Sequence, residues 1–212
     1  METINMTFVY DWLLERKVKK RSLPEHIVLV INEADLLRSG GFATLDDFFG
    51  WCSELGIERV NVCVMLLEPN EAITSNLREG IDALDTEVEV HCLDDEVNGE
   101  GNDEKNTNYE VSLGIEGRNE FVDALRSVAE SVEEGEIAAE DVDESVIEDN
   151  LIFSGEPDII LKTGGEHLSN FMIWQSVYSE LHFADFNWQN LRRRDFLRAI
   201  RDFQDRERRY GE

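Results

Sequence analysis

The chain has 212 residues, 42% of them hydrophobic, which is long enough for one sizeable α/β core. Its 47 acidic residues against 20 Lys and Arg give a formal net charge of −27, which argues against general nucleic-acid binding. The three cysteines lack the paired spacing of zinc or redox motifs, so we expect free thiols in a reducing cytoplasm. No apolar run approaches the roughly 18 residues of a membrane span, and no signal-peptide core is evident.

The charge is distributed in an unusual way. Only five of the 20 cations are lysines, and the acids are spread along the whole chain. This pattern is typical of halophilic proteins, because salt near 1 M shortens the Debye length to about 3 Å and screens self-repulsion. The sequence therefore predicts a halophilic protein that loses structure at low ionic strength.

Residues 1–22 are predicted to form an amino-terminal helix, followed by a single domain over residues 23–212. Apolar residues of this segment, including Trp12 and Leu13, precede the dense basic run of residues 16–21. Such a helix can rest on anionic lipid, with each cation contributing about 1 kcal/mol near the surface. Alternatively, it packs on the domain and its basic end pairs with local acids. The sequence leaves both interpretations open.

Strand-like runs alternate with helix-like stretches along the rest of the chain. Helical periodicity marks residues 45–55, 121–132 and 196–203, and the stretch between residues 71 and 88 has room for one short helix around 73–84. This alternation predicts an α/β fold with a mostly parallel six-stranded central sheet flanked by helices, with ligands beyond the carboxyl ends of the strands. The acidic segments 94–104 and 130–149 are predicted to be a solvated loop and helices with polar outer faces. The predicted strands are Ile27–Ile31, Val60–Leu67, Val88–Cys92, Tyr109–Leu113, Ile159–Leu161 and, as a sixth candidate, Leu181–Phe183.

The stretch 157–181 reads as a buried strand, a Gly-Gly loop and the start of an amphipathic helix. The helical pattern uses apolar positions from Phe171 to Leu181. Free N–H groups at such a junction, with Lys162 below the loop and Thr163 and Ser169 around it, suit a phosphate or diphosphate. A glycine turn required only by chain geometry is the alternative.

The whole block through residue 183, with Trp188 and the tail 206–211, resembles the cis-prenyltransferases, which make long polyprenyl diphosphates. The resemblance extends to residues 24–31, which match the family's first strand, and to residues 11–16, which match an amino-terminal helix. It implies the cis-prenyltransferase fold, isopentenyl diphosphate and an allylic diphosphate as substrates, and Mg²⁺ as cofactor.

The resemblance also shows what this chain lacks. In catalytically complete members, the first strand ends in an Asp-Gly-Asn-Gly-Arg-Trp motif whose Asp binds Mg²⁺, and Asn32 occupies that position here. An amide is a poor Mg²⁺ ligand beside a carboxylate, so metal activation should be badly weakened. A register shift would bring in Asp35, but Glu33 and Leu36 would still replace the motif's Gly and Arg. A helix of about 14 residues around 73–84 would span only about 21 Å, a thin wall for a long-chain product.

The carboxyl-terminal half retains more of the family pattern. Lys162 replaces the first Arg of the family's diphosphate-binding segment, and Ser169 matches its hydroxyl ligand. Glu180 matches a carboxylate that approaches Mg²⁺ across the dimer interface. For Ser169 and Glu180, a helix cap and a surface acid are the alternative roles. Arg209 and Gly211 match an Arg-x-Gly tail that reaches from one subunit into the partner's active site.

These features resemble the Nogo-B-receptor-type accessory subunit of heteromeric cis-prenyltransferases. The hypothesis is a non-catalytic cytoplasmic subunit that dimerises with a catalytic paralogue, in a complex that makes a dolichol-type polyprenyl diphosphate. Contact with the inner face of the membrane follows if the amino-terminal helix rests on lipid. Two alternatives stay open: a self-sufficient homodimeric synthase that tolerates Asn32, and a non-catalytic protein that binds a prenyl lipid or phosphate.

Overall fold

The computed structural model describes residues 6–67, 70–92, 108–115, 117–151, 156–163, 180–184 and 188–206, with the backbone alone described for 6–9 and 180–184. Six strands lie in these ranges: β1 (His26–Asn32), β2 (Arg59–Met65), β3 (Glu89–Cys92), β4 (Tyr109–Leu113), β5 (Ile159–Thr163) and β6 (Glu180–Ala184). They form one sheet in the order β3-β4-β2-β1-β5-β6, and every neighbouring pair is parallel. The predicted α/β fold with a six-stranded, mostly parallel sheet is confirmed.

Helices connect the strands and cover the sheet. The helical patterns over 45–55, 121–132 and 196–203 each lie within an observed helix, and so does most of 73–84. Short 3-10 turns occupy Ala139–Asp141 and Trp188–Asn190. The helices of the described ranges are α1 (Met6–Val18), α2 (Glu33–Leu37), α3 (Gly41–Leu55), α4 (Glu71–Asp82), α5 (Gly117–Glu134), α6 (Glu144–Glu148) and α7 (Arg193–Asp205).

One helical assignment was wrong. Leu181, taken as the last apolar position of the helix after the Gly-Gly loop, lies in β6, where it pairs with Ile160. The alternation of Leu181 and Phe183 with polar neighbours fits a strand, and pairing with β5 satisfies its backbone groups. The competing prediction of a sixth strand at this place is confirmed. The earlier helical positions from Phe171 lie outside the described residues.

The sheet is buried on both faces, and the two faces differ in size. Ile27, Leu29 and Ile31 of β1 belong to a large cluster that also includes side chains of α1, α3 and α7. Val28 and Val30 point the other way and form a small cluster with Cys63 and Ile160. Burial on both faces explains why β1 reads as an uninterrupted apolar run, which is typical of parallel sheets.

The cysteines and the helices bear on two further expectations. Cys52, Cys63 and Cys92 are all free thiols, as predicted, and all are buried. Burial raises the pKa of Cys63 to about 12, which makes it a poor nucleophile. Within the described ranges, none of the helices combines the length and apolar character needed to span a bilayer.

Helix α1 packs on α7. Leu14 and Val18 are buried, with Leu14 3% exposed. Asp11 forms an ion pair with Arg194, with Oδ1 and Nε 3.3 Å apart, and the basic end pairs with local acids through Lys19 and Glu15 at 2.8 Å. The packed arrangement that the sequence left open is therefore present, and it accounts for one side of α1.

A row of polar side chains crosses the smaller face of the sheet. His26 Nε2 lies 2.5 Å from Asn61 Oδ1, and Asn61 Nδ2 donates to Glu110 Oε2 at 2.8 Å. The amide oxygen of Asn61 can only accept, so His26 carries a proton on Nε2. Burial lowers the pKa of His26 and raises that of Glu110, while Asp158 and Arg59 act on His26 with opposite signs.

This row predicts a pH dependence of stability. Because the folded-state pKa of His26 is below its usual value of about 6.5, the unfolded chain binds the proton more readily. The free energy of unfolding should therefore fall as pH drops from about 6.5 through the folded-state pKa. Glu110 acts with the opposite sign at lower pH, since its pKa is raised. Urea denaturation between pH 7.5 and 5 should show a flatter profile for His26→Gln, and identical profiles would contradict this assignment.

Candidate functional site

The topology of the sheet locates the candidate site. The chain passes from β1 to β2 on one side, whereas β5 and β6 lie on the other side. Strand connections therefore diverge between β1 and β5, and in open parallel sheets ligands bind in the crevice beyond the carboxyl ends at such a point. Asn32 ends β1 here and Thr163 ends β5.

The connection after β1 contains no loop. Asn32 is the residue before α2, which starts at Glu33. The Asn32 N–H donates to Asp35 Oδ2 at 3.5 Å, so an acid of the first helical turn reaches back to the strand end. The buried Glu33 accepts the Leu67 N–H at 3.2 Å, which ties α2 to the chain leaving β2. These two hydrogen bonds close the turn formed by Asn32, Glu33 and Asp35 at the end of β1, which we call the closed turn.

Asp35 is the central carboxylate of this turn. Its Oδ2 lies 3.4 Å from Thr163 Oγ1, which is equally distant from the Val30 carbonyl oxygen. Gln189 Nε2 donates to the Asp35 carbonyl oxygen at 2.8 Å. Residues from β1, β5 and the turn before α7 therefore hold Asp35 in one place.

The sequence did not indicate the contacts made by residues 188 and 189. Trp188 is 1% exposed, and its indole N–H donates to the Gly41 carbonyl oxygen at 3.1 Å. Gly41 itself passes very close to α2, because a Cβ there would lie 2.3 Å from the carbonyl oxygens of Asp35 and Leu36. The adjacent Gly40-Gly41 pair between two apolar stretches was the only available signal for this close approach.

The electrostatics of the turn disfavour a diphosphate bound without a metal. Glu33 and Asp35 both lie in the first turn of α2 and compensate the partial positive charge of its free N–H groups. An added anion would meet two carboxylates at short range. This arrangement differs from a glycine loop, whose N–H groups stay available to phosphate oxygens.

Lys162 is buried, with 6% of its surface exposed, and its backbone lies opposite Val30. Successive strand residues point to opposite faces, so Lys162 shares the smaller face with Ile160, whereas Thr163 faces Asp35. The side chains of Lys162 and Thr163 therefore point to opposite faces of β5, and the loop that they are predicted to surround lies outside the described residues.

Of the remaining predicted site residues, Glu180 is described by its backbone alone. Glu180 is the first residue of β6, and its backbone pairs with that of Ile159. It lies about 13 Å along the strand from the carboxyl edge at Ala184, at about 3.3 Å per residue. Ser169, Arg209 and Gly211 lie outside the described residues.

The described side chains do not fit a Mg²⁺ site of their own. Across the ranges given above, no three His, Cys, Asp or Glu side chains come together as a metal site. Glu33 and Asp35 each accept backbone N–H groups of this chain, and Asn32 offers an uncharged amide. Mg²⁺ prefers carboxylate oxygens together with substrate phosphates, and each of the two carboxylates of this turn already accepts a backbone N–H through one of its oxygens.

Comparison with known proteins identifies the family. The family model described as "Putative undecaprenyl diphosphate synthase" matches residues 71–211. Tritrans,polycis-undecaprenyl-diphosphate synthases (geranylgeranyl-diphosphate specific) of Methanocaldococcus jannaschii and Picrophilus torridus are 30% and 31% identical over 96% of this chain, covering 88% and 96% of their own lengths.

Two solved structures share the fold. Lavandulyl diphosphate synthase from Lavandula x intermedia superimposes with a TM-score of 0.70 at 22% identity, over 92% of this chain and 100% of that chain. A probable undecaprenyl diphosphate synthase from Campylobacter jejuni gives 0.67 at 24% identity, over 90% and 100%. With the parallel sheet and its crevice between β1 and β5, these matches confirm the resemblance found in residues 157–211. The chain belongs to the undecaprenyl diphosphate synthase family of cis-prenyltransferases.

Proposed function

We propose that this chain is the non-catalytic subunit of a heterodimeric cis-prenyltransferase that makes a dolichol-type polyprenyl diphosphate in the cytoplasm. The substrates are isopentenyl diphosphate and an allylic diphosphate, and a catalytic paralogue supplies the Mg²⁺-binding carboxylate. The observation that carries the proposal is the closed turn after β1, where Asn32 ends the strand and both nearby acids accept hydrogen bonds. The direct test is prenyl transfer measured for each chain alone and for both together.

The closed turn bears on catalysis through charge. Ionisation of an allylic diphosphate leaves negative charge on the departing group, which a metal ion or fixed cations must stabilise. The described residues at this edge present an amide and two engaged carboxylates instead. Because removal of one stabilising group from such a site typically lowers kcat by about 10²–10³, this chain's own turn is a poor catalytic centre.

In the proposed complex, this chain contributes its carboxyl-terminal half. Arg209 binds a diphosphate of the partner's site, and Gly211 lets the backbone approach it closely. Glu180 approaches the partner's Mg²⁺, while Lys162 and Ser169 are the remnants of this chain's own diphosphate segment. The likeness of these residues to the family motifs supports the roles.

The size of the chain supports a partner that supplies the elongation tunnel. The match to the Methanocaldococcus jannaschii synthase runs over 249 aligned residues, more than the 212 of this chain, so the relative has residues without a counterpart here. Helix α4 has 12 residues and spans about 18 Å. A short wall of this kind suits a subunit that does not itself hold a long product.

A self-sufficient homodimeric synthase is the main rival, and it is favoured by the names of the relatives matched over 96% of the chain. Prenyl transfer by the variant Asp35→Asn distinguishes the homodimeric synthase from the proposed heterodimer. In our proposal, kcat of the mixed complex should change less than about threefold, because Asp35 binds no metal. Thr163→Val is the matched control, since it removes the same hydroxyl contact and keeps the carboxylate. A loss of kcat of about 100-fold in Asp35→Asn, without a similar loss in Thr163→Val, would favour the homodimeric synthase.

A halophilic origin accounts for the net charge of −27 and leads to a prediction about salt. Raising KCl from 0.1 M to 2 M should raise Tm by about 6–12 °C, because screening removes self-repulsion worth about 3 kcal/mol. Sucrose at matched osmolality is the control, since it stabilises without screening charge. Equal Tm values in both KCl concentrations would refute the halophilic assignment.

A further inference from the structure

Helix α1 has an outer side that nothing covers in the described part of the chain. Tyr10, Trp12 and Leu13 are 41%, 52% and 45% exposed, whereas Leu14 and Val18 are buried. The helix is therefore apolar on two sides: one packs on α7, and the other faces outward. Exposed apolar residues that form a contiguous patch mark interaction sites, whereas singly scattered ones are normal on protein surfaces.

Cations surround these exposed side chains. The Arg16 guanidinium lies 5.5 Å from the centre of the Trp12 ring, and that of Arg198 lies 5.7 Å from the Tyr10 ring. Lys17 and Lys20 are exposed. In a chain of net charge −27, the segments 16–21 and 192–201 together hold ten of its 20 Lys and Arg residues. Several of these cations pair with nearby acids, as Lys19 does with Glu15, whereas Arg16, Lys17 and Lys20 are exposed in or just after the helix that carries Trp12 and Leu13.

We propose that this α1 outer face (Tyr10, Trp12, Leu13, Arg16, Lys17 and Lys20) docks on an anionic lipid bilayer. Aromatic and aliphatic side chains enter the boundary between headgroups and acyl chains, and Lys and Arg beside them meet the lipid phosphates. At low salt each cation near an anionic bilayer raises partitioning about fivefold, whereas near 1 M salt the apolar side chains supply most of the binding. The acidic remainder of the protein is repelled by the same lipids, so this face alone is oriented toward the membrane.

A second copy of this chain is a poorer occupant of the α1 outer face. A twofold contact through one face places each patch against its own equivalent. Arg16, Lys17 and Lys20 would then oppose the same cations of the other copy, which is unfavourable for a desolvated interface. A lipid phosphate layer has the complementary charge.

The apolar part of the α1 outer face lies at the end of the molecule that carries the candidate site. Helices α1 and α7 run in the same direction, since Asp11 pairs with Arg194 at one end and Gln204 Nε2 donates to the Val18 carbonyl oxygen at 3.0 Å at the other. Helix α7 begins just after Gln189, which bonds to Asp35. Tyr10, Trp12 and Leu13 therefore lie toward the carboxyl edge of the sheet. Docking brings that edge close to the bilayer, and it does so whether or not the chain is an accessory subunit.

Sedimentation with vesicles tests the proposal on the full chain. The probes are vesicles of equal parts phosphatidylglycerol and phosphatidylcholine, and vesicles of phosphatidylcholine alone. Trp12→Ser with Leu13→Ser should lower partitioning into the anionic vesicles more than tenfold, and Lys17→Glu with Lys20→Glu about 25-fold or more. The matched controls on α5, Leu125→Ser and Arg118→Glu with Arg126→Glu, change exposed residues of the same kinds and should stay within twofold. Far-UV circular dichroism checks that each variant keeps its helices.

A spectroscopic readout locates the contact. Brominated acyl chains should quench the fluorescence of Trp12 in the bound protein, and Trp12→Phe should sediment like the parent chain while losing that quenching. Near 1 M salt, the effect of the charge reversal should shrink and that of the apolar variant should persist. The proposal is overturned if the parent chain does not sediment with anionic vesicles, or if the α1 and α5 variants behave alike. It is also overturned if Trp12→Phe leaves the quenching unchanged, or if the α1 variants alter only the oligomeric state.

Discussion

Replacing Gly41 by alanine is expected to lower the free energy of unfolding by about 3 kcal/mol, because the new Cβ would lie 2.3 Å from two carbonyl oxygens of α2. The atoms in the way are backbone, so no side-chain rotation relieves the overlap. Either α2 or the start of α3 must shift, and Trp188, which donates to the Gly41 carbonyl oxygen, must follow. Urea denaturation measures the change, and loss of the Asp35–Thr163 contact should accompany it.

Gly50 is a matched control in the same helix. A Cβ at Gly50 meets nothing within 4 Å, and alanine is the better helix former by about 0.5–1 kcal/mol. Gly50→Ala should therefore leave stability unchanged or raise it slightly. Similar effects of the two substitutions would show that the close approach of α3 to α2 does not constrain the fold.

Replacing Arg209 by alanine in the mixed complex is expected to lower kcat/KM for prenyl transfer about 100-fold. An Arg that binds a diphosphate through two hydrogen bonds in a water-excluded site contributes about 2.7 kcal/mol to the transition state, and each 1.36 kcal/mol is tenfold in rate. The effect belongs to the partner's site, so the complex should still assemble. Steady-state rates on isopentenyl diphosphate measure it.

The neighbouring arginine provides the control for Arg209. Arg208→Ala removes the same charge one position earlier but does not belong to the Arg-x-Gly motif, so its effect should stay within about threefold. Arg209→Lys should recover only part of the rate, because a lysine gives a point charge in place of a planar fork. Equal losses in Arg208→Ala and Arg209→Ala would indicate a general charge effect and contradict the assigned role.

The strands were predictable because a strand that is buried on both faces has a continuous apolar sequence, as in residues 27–31. Residues 180–183 were harder to assign, since their apolar positions fit both a helix end and a short strand, and their pairing with β5 shows that they form a strand. Successive side chains of a strand point to opposite faces, so the sequence of β5 was enough to predict that Lys162 and Thr163 lie on different faces of the sheet.

The closed turn at the candidate site was not predictable from periodicity. Helix α2 has only five residues, which is too short for a helical pattern to emerge. Its anchors come from distant parts of the chain, since Asp35 meets Thr163 and Gln189, and Glu33 meets Leu67. The expectation that Asn32 takes the place of a catalytic Asp came instead from the family motif at the end of the first strand, and not from periodicity.

The central claim is that this chain needs a catalytic partner, and one measurement tests it most directly. The initial rate of prenyl transfer is measured in high salt with Mg²⁺, isopentenyl diphosphate and geranylgeranyl diphosphate, for this chain alone, for its catalytic paralogue alone, and for an equimolar mixture. We predict background turnover by this chain alone and a rate for the mixture well above the sum of the separate rates. Turnover by this chain alone that equals the rate of the mixture would contradict the claim.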